Sequence, residues 1–274
     1  MRETAPTLPQ AGTQWASMAW AGRELRLEYQ WLGQDHASAP LMVFLHEGLG
    51  SVSMWHDFPA QLCQALGCRG LVYSRPGYGQ STPRQAHEAW TSDFMHRQAL
   101  EVLPALLNAL GVSEPVWLFG HSDGGSIALI AAAQRPHLVA AAVVMAPHIM
   151  VEVISRRTIA QAQEAYLHSG LRGKLARHHA DPDSAFWGWS RAWLDPAFEG
   201  WSLEAELAHI TCPLLAVQGL NDDYGTLAQI HGIAQRAPHT ELLELADCGH
   251  SPHRDQAAAL TARVHAFYKR HAPA

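Results

Sequence analysis

The sequence predicts an α/β protein: a mostly parallel, doubly wound sheet carrying one inserted helical lid. Three observations carry that expectation. Short, unbroken apolar runs such as LMVFL, VWLF and AVVM recur along the chain, and unbroken apolar strands mark parallel sheets covered on both faces. They alternate with stretches of helical spacing, the pattern of βαβ units. Between about 148 and 208 the strand runs stop, and a block rich in tryptophan and arginine takes over. The expected organisation is one core, residues 1–147 with 209–274, and one helical cap, residues 148–208.

Taken in order, residues up to about Gly12 read as a loose polar tail. Thr13–Trp20 and Glu24–Trp31 alternate apolar and polar residues about Ala21-Gly22, which suggests a hairpin. Leu41–His46 is a buried strand that runs into a glycine-rich loop, and residues 54–66 read as a helix. Gly70–Ser74 is a second buried strand, opening into the loop Arg75–Ser81. Ser92-Asp93 caps a helix over Phe94–Leu110, with Pro104 inside it demanding a kink or break and Gly111 ending it. A strand begins at Val116, and the helix after it stops before Pro136. Strands follow at Leu138–Ala146, Cys212–Gly219 and Glu241–Leu245, with a helix at Leu227–Arg236 and, after the loop Cys248-Gly249-His250, a final helix to about Arg270.

Composition narrows the function. The chain has 274 residues, 48% hydrophobic and 16% charged, enough for one large core or two small ones. The net charge of −6 and the lack of a basic stripe argue against nucleic acid as a partner. No stretch reaches the roughly 18 apolar residues of a membrane span, and the first residues hold no apolar signal-like core. Four cysteines without Cys-x-x-Cys pairing fit a reducing compartment, so the expected location is the cytoplasm. Eighteen histidines are unusual in number.

The chemistry centres on Val116–Ile130, VWLFGHSDGGSIALI. Here Ser122 lies between Gly120 and Gly124 at Gly-x-Ser-x-Gly spacing, with a strand before it and a helix after it. That is the pattern of a nucleophile elbow, a strained turn that pushes a serine hydroxyl out over the end of a sheet. A serine hydroxyl needs a general base, and the base an orienting acid. His250, after the last strand and beside Gly249, is the candidate base. Asp222, three residues after the strand-ending Gly219, is the candidate acid, with Asp223 as the fallback. His250 and His253 at His-x-x-His spacing raise a metal alternative, but no Glu or Cys ligand pattern stands near them. The transition state also needs oxyanion donors. The backbone N–H groups of Gly48 and Asp123 are the candidates.

These residues resemble the α/β-hydrolase superfamily. Leu45-His46…Gly50-Ser51…Trp55 is similar to its His-Gly-x-x-Gly-Ser…Trp stretch, and Tyr73–Ser81 to its Asp-x-x-Gly-x-Gly-x-Ser loop. Gly219–Asp222 resembles its acid turn and Gly249-His250 its Gly-His. Two positions depart from the pattern: Glu47 stands where glycine is usual, and Ser74 where aspartate is usual. The Asp123 carboxylate must point away from the oxyanion, and an arginine partner is expected for it. Glu47, His121 and Trp187 are candidate substrate contacts. Trp187 and Trp189, two apart, cannot both face inward on one helix.

The resemblance implies a serine hydrolase of the carboxylesterase type, cleaving a small carboxylic ester through an acyl-enzyme. It calls for no cofactor and no metal. A carbon–carbon bond hydrolase of a vinylogous diketone acid, whose acid group arginines would hold, is the alternative within enzymes. A non-catalytic ligand-binding module on the same scaffold is the alternative outside them. The expected partner is a small-molecule substrate, with neither nucleic acid nor membrane; a homodimer is left open.

Overall fold

A computed structural model describes residues 12–33, 38–85 and 88–272. Residues 1–11 of the expected tail lie outside the described residues. The eight strands are β1 (Gln14–Trp20), β2 (Arg23–Leu32), β3 (Leu41–Leu45), β4 (Arg69–Tyr73), β5 (Val116–His121), β6 (Val139–Met145), β7 (Leu214–Gly219) and β8 (Glu241–Leu245). They form one sheet in the order β1-β2-β4-β3-β5-β6-β7-β8. β1 and β2 pair antiparallel, as does β2 with β4, and every later pairing is parallel. Strand order reverses direction about β3: β4 lies on one side of it and β5 on the other. A crevice opens at the carboxyl ends of strands on either side of such a switch point, where ligands of open α/β sheets bind.

Both faces of the sheet are covered, which is why its central strands β3, β5 and β6 are apolar at nearly every position. Leu41, Val43 and Leu45 of β3 and Leu118 of β5 join one apolar layer, with the helix Asp123–Gln134 and the helical stretch 94–109. Met42, Phe44, Trp117 and Phe119 join the other, against the helices Phe58–Leu66 and Ala257–His271. Phe44 and Phe119 are fully buried with ring centroids 5.4 Å apart. Burial of each stabilises the fold by about 1.5–3 kcal/mol.

Two helices differ from their sequence expectations for local reasons. Residues 54–66 do not form one helix. A 3-10 turn at Val52–Trp55 is followed by His56 at φ 50°, a left-handed residue that resets the chain before the helix Phe58–Leu66. Pro104 breaks nothing outright. The preceding Gln98–Val102 forms a π-helical turn, which absorbs the missing N–H and the ring's clash with the carbonyl one turn back. Between β6 and β7 the described chain is helical, with helices at Val153–His168, Leu171–Leu175, Pro182–Leu194 and Glu204–Leu207. No described helix is long and apolar enough to cross a membrane.

Candidate active site

Ser122 follows β5 and caps the helix Asp123–Gln134 with φ 53° and ψ −118°, a conformation a non-glycine residue adopts only under constraint. The constraint is the close packing of strand, turn and helix. A Cβ on Gly120 would run into the Gly124 carbonyl oxygen, and one on Gly124 into the Leu45 carbonyl oxygen of β3. The Ser122 amide is fixed by the Met145 carbonyl of β6 at 2.9 Å. Its hydroxyl is thereby held over the strand ends, where it donates to His250 Nε2 at 3.0 Å.

His250 lies after β8, and its Nδ1 donates to Asp222, 2.9 Å from each carboxylate oxygen. Gln218 Nε2 at 2.6 Å and the Tyr224 amide at 2.8 Å also donate to that carboxylate. Burial pushes the Asp222 pKa upward, but the hydrogen bond and charge of His250 outweigh it and hold the carboxyl below its ordinary value. Asp223, the fallback acid, is exposed and turned away, and its carbonyl accepts from Thr158 Oγ1. His253, the other half of the His-x-x-His pair, points into the apolar layer against Trp55 and Phe58.

The arginine beside Asp123 is Arg75, fully buried, with Nη2 3.8 Å from Asp123 Oδ2 and 2.8 Å from the Glu47 carbonyl that accepts from it. Trp193 Nε1 donates to the other Asp123 oxygen at 3.0 Å. One guanidinium thus ties the elbow to the loop after β3 and turns the Asp123 carboxylate away from the serine. Burial raises the Asp123 pKa, and Arg75 opposes that rise. Beneath the same loop His46 is neutral, because burial and the Arg75 charge hold its pKa well down. Its Nδ1 donates to the Glu47 carbonyl at 2.7 Å, and its Nε2 accepts from the Arg75 amide.

A cavity of about 190 Å³ opens above Ser122. Gly48, Asp123, His121 and Glu47 line its floor, and Ile159, Trp189 and Trp193 of the inserted helices close it. The Trp189 indole N–H edge lies so close to Gly48 that a Cβ there would overlap it. His121 donates Nε2–H to the His250 carbonyl at 2.7 Å, so it supports the base's loop as well as lining the cavity.

The family model described as "alpha/beta hydrolase fold" matches residues 40–197. The chain belongs to the α/β-hydrolase fold family. The match takes in the β3 loop and Ser122, while Asp222 and His250 lie beyond it. Among curated proteins, the chain is 35% identical over 125 residues to the sn-1-specific diacylglycerol lipase ABHD11 of Mus musculus, 45% of this chain and 37% of that protein. It is 36% identical over 110 residues to the protein of that name from Danio rerio, 39% of this chain and 31% of that one. The chain thus spans about a third of the length of these relatives. Among solved structures, it is similar to a thermophilic esterase from Thermogutta terrifontis, with TM-score 0.74 and 18% identity over 95% of this chain and 99% of that one. An enol-lactonase from Burkholderia xenovorans LB400 superposes with TM-score 0.72 and 22% identity, covering 92% and 99%. At such identities these two likenesses speak to the fold.

Within this family frame, Trp187 is the residue the sequence reading misplaced. It does not line the cavity. It packs outward beside Arg84 and Trp90, with the Arg191 guanidinium 5.1 Å above its ring. Trp189 and Trp193, four apart on Pro182–Leu194, share the face that meets Ser122. Three further residues were missed. Tyr224 covers the His250 imidazole with ring centroids 4.5 Å apart. His148, just after β6, lines the cavity. Glu28 of β2 supplies the carboxylate absent at Ser74: its Oε2 accepts from Ser74 Oγ at 2.7 Å and from the Gln80 amide at 2.8 Å.

Proposed function

We propose that the protein is a serine hydrolase of small, uncharged carboxylic esters. One observation carries this reading: a continuous chain from Ser122 Oγ to His250 Nε2 and from His250 Nδ1 to Asp222, at 3.0 and 2.9 Å. His250 takes the hydroxyl proton as Ser122 Oγ attacks the ester carbonyl carbon. Asp222 keeps the imidazole in the tautomer with Nδ1–H and stabilises the imidazolium. The Gly48 and Asp123 amides hold the oxyanion. His250 then gives its proton to the departing alcohol, and water, activated by the same imidazole, releases the acid from the acyl-serine.

The cavity supports a short acyl group. Its volume of about 190 Å³ lies below the roughly 300–1,000 Å³ of drug-sized ligand pockets, and two indoles and Ile159 form its walls. The carbon–carbon hydrolase reading gains no support, because no described arginine or lysine lines the cavity to hold a substrate acid. Hydrolysis of p-nitrophenyl esters of rising chain length tests the proposal. The kcat/KM is expected to peak at two to four acyl carbons, about tenfold or more above that for eight. A maximum at long chains, or no turnover of any member, would contradict it.

A further inference from the structure

Among the polar residues that line the cavity over Ser122, Glu47 and His148 take no part in acyl transfer. Glu47 stands on the loop after β3. Its Oε2 lies 3.5 Å from His121 Nδ1 and is folded so close to Gly50 that a Cβ there would meet it. Its Oε1 has no hydrogen-bond partner among the described residues, and the side chain borders the cavity. Burial alone would raise the Glu47 pKa, but His121, 3.5 Å away, and the His46 and His253 rings nearby outweigh it and hold the group well below the carboxylate range. His148 is 2% exposed, packs edge-on against Trp193 at 4.9 Å and borders the same cavity. Its main chain is committed: the amide donates to Ser126 Oγ, and the carbonyl accepts from it. Its Nδ1 is buried with no partner. Burial and then the His250 charge lower its pKa to about 3, so the ring is neutral.

An ionised carboxylate only accepts hydrogen bonds, whereas a neutral imidazole offers one N–H and one lone pair. Buried polar groups left unpaired are costly, and a site that pairs them with a substrate group discriminates strongly against analogues without it. A hydroxyl fits both neighbours, donating to Glu47 Oε1 and accepting from His148 Nε2–H, since the His148 Nδ1 is sealed from the cavity. A second carboxylate accepts from His148 only by facing the Glu47 charge, with no described cation at hand to offset it. The nearest buried cation, Arg75, is already engaged by Asp123 and the Glu47 carbonyl below the floor.

We propose that Glu47 and His148 are specificity-determining residues that favour acyl chains bearing a hydroxyl and reject acyl chains ending in a carboxylate. The inference rests on the esterase reading and names its substrate class. Protection of Ser122 from an alkyl fluorophosphonate by three unreactive amides tests it: butyramide, 3-hydroxybutyramide and the anion succinamate. The hydroxy amide is expected to protect at a concentration about fivefold or more below that of butyramide, and succinamate to need about 100-fold more. In Glu47→Gln the penalty on succinamate shrinks at least about tenfold, and in His148→Gln the hydroxyl advantage falls to about twofold or less. Labelling with equal protection by all three amides, or ratios that neither variant changes, overturns the selection and leaves the esterase reading standing. No labelling of Ser122 overturns the esterase reading and the selection with it.

Discussion

The elbow and the inserted helices meet across one small cavity, yet they are held in different ways. At the elbow the main chain does the holding. Gly120 and Gly124 leave no room for a Cβ, Ser122 is locked at φ 53°, and its amide is tied to β6. In the insertion side chains do it. His179 accepts from the Gly79 amide at 2.9 Å through Nδ1 and donates to the Leu49 carbonyl at 2.9 Å through Nε2. Arg156 donates to the carbonyls of Trp193, Leu194 and Asp195, and the Trp193 indole reaches Asp123. Chemistry that tolerates little displacement is built on backbone geometry, which few residue types can satisfy. The shape of the cavity rests on contacts that many side-chain combinations could provide.

The largest effect is expected from breaking the core side of this contrast. Asp222→Asn keeps the shape but offers His250 an amide and favours the wrong tautomer. The kcat should fall by about 10³–10⁴, with an unchanged melting temperature, as read by steady-state kinetics and thermal unfolding.

Acid strikes both regions through buried neutral histidines. Burial lowers the pKa of His179 to about 4 and those of His148 and His253 to about 3. In the unfolded chain they take up protons below about 6.5. The unfolded state therefore binds more protons between about 6.5 and 4, and stability is full above 6.5 and lost as pH falls through that window. Each histidine costs about 2 kcal/mol between pH 6.5 and 5, together a large share of the 5–15 kcal/mol typical of a domain. Urea unfolding as a function of pH should show that slope. His179→Gln should lower it by about one proton at pH 5, and a slope unchanged by that variant would contradict the assignment.

The smallest effect sharpens the division within one helix. Trp189→Ala opens the cavity and should move the preferred acyl chain longer by two or more carbons, with about a tenfold change in the ratio of long to short kcat/KM. Trp187→Ala, two residues away and facing Arg191, should leave that ratio within about twofold. Equal effects of the two would contradict the helix phase described above.

The legibility of the sequence follows the same line. Strands β3 to β7 are legible because burial on both faces leaves mostly apolar residues there, whereas β8, ELLEL at the sheet edge, is only partly buried and keeps two glutamates. Ser122 and Asp222 stand out because glycines at strand ends mark where backbones approach closely, and His250 because it follows the last strand beside a glycine. What contacts the substrate pocket was harder to read. The choice between Trp187 and Trp189 depends on helix phase, and the i, i+4 pairing of Trp189 with Trp193 was the signal that could have decided it. Glu28 is 46 residues from Ser74 and meets it only because β2 pairs antiparallel with β4, Tyr29 opposite Tyr73. His148 and Tyr224 occupy loops after strands, where neither periodicity nor motif spacing says which way a ring turns. The break at His56 is likewise a local left-handed turn that composition does not announce.

The central claim is that Ser122 is a nucleophile activated by His250. Intact-mass and peptide mass spectrometry after brief exposure to an alkyl fluorophosphonate tests it directly. The account predicts one adduct per chain, located on Ser122, lost in Ser122→Ala and slowed by about 10³-fold or more in His250→Ala. An unlabelled chain, or an adduct on another residue that survives Ser122→Ala, would contradict it.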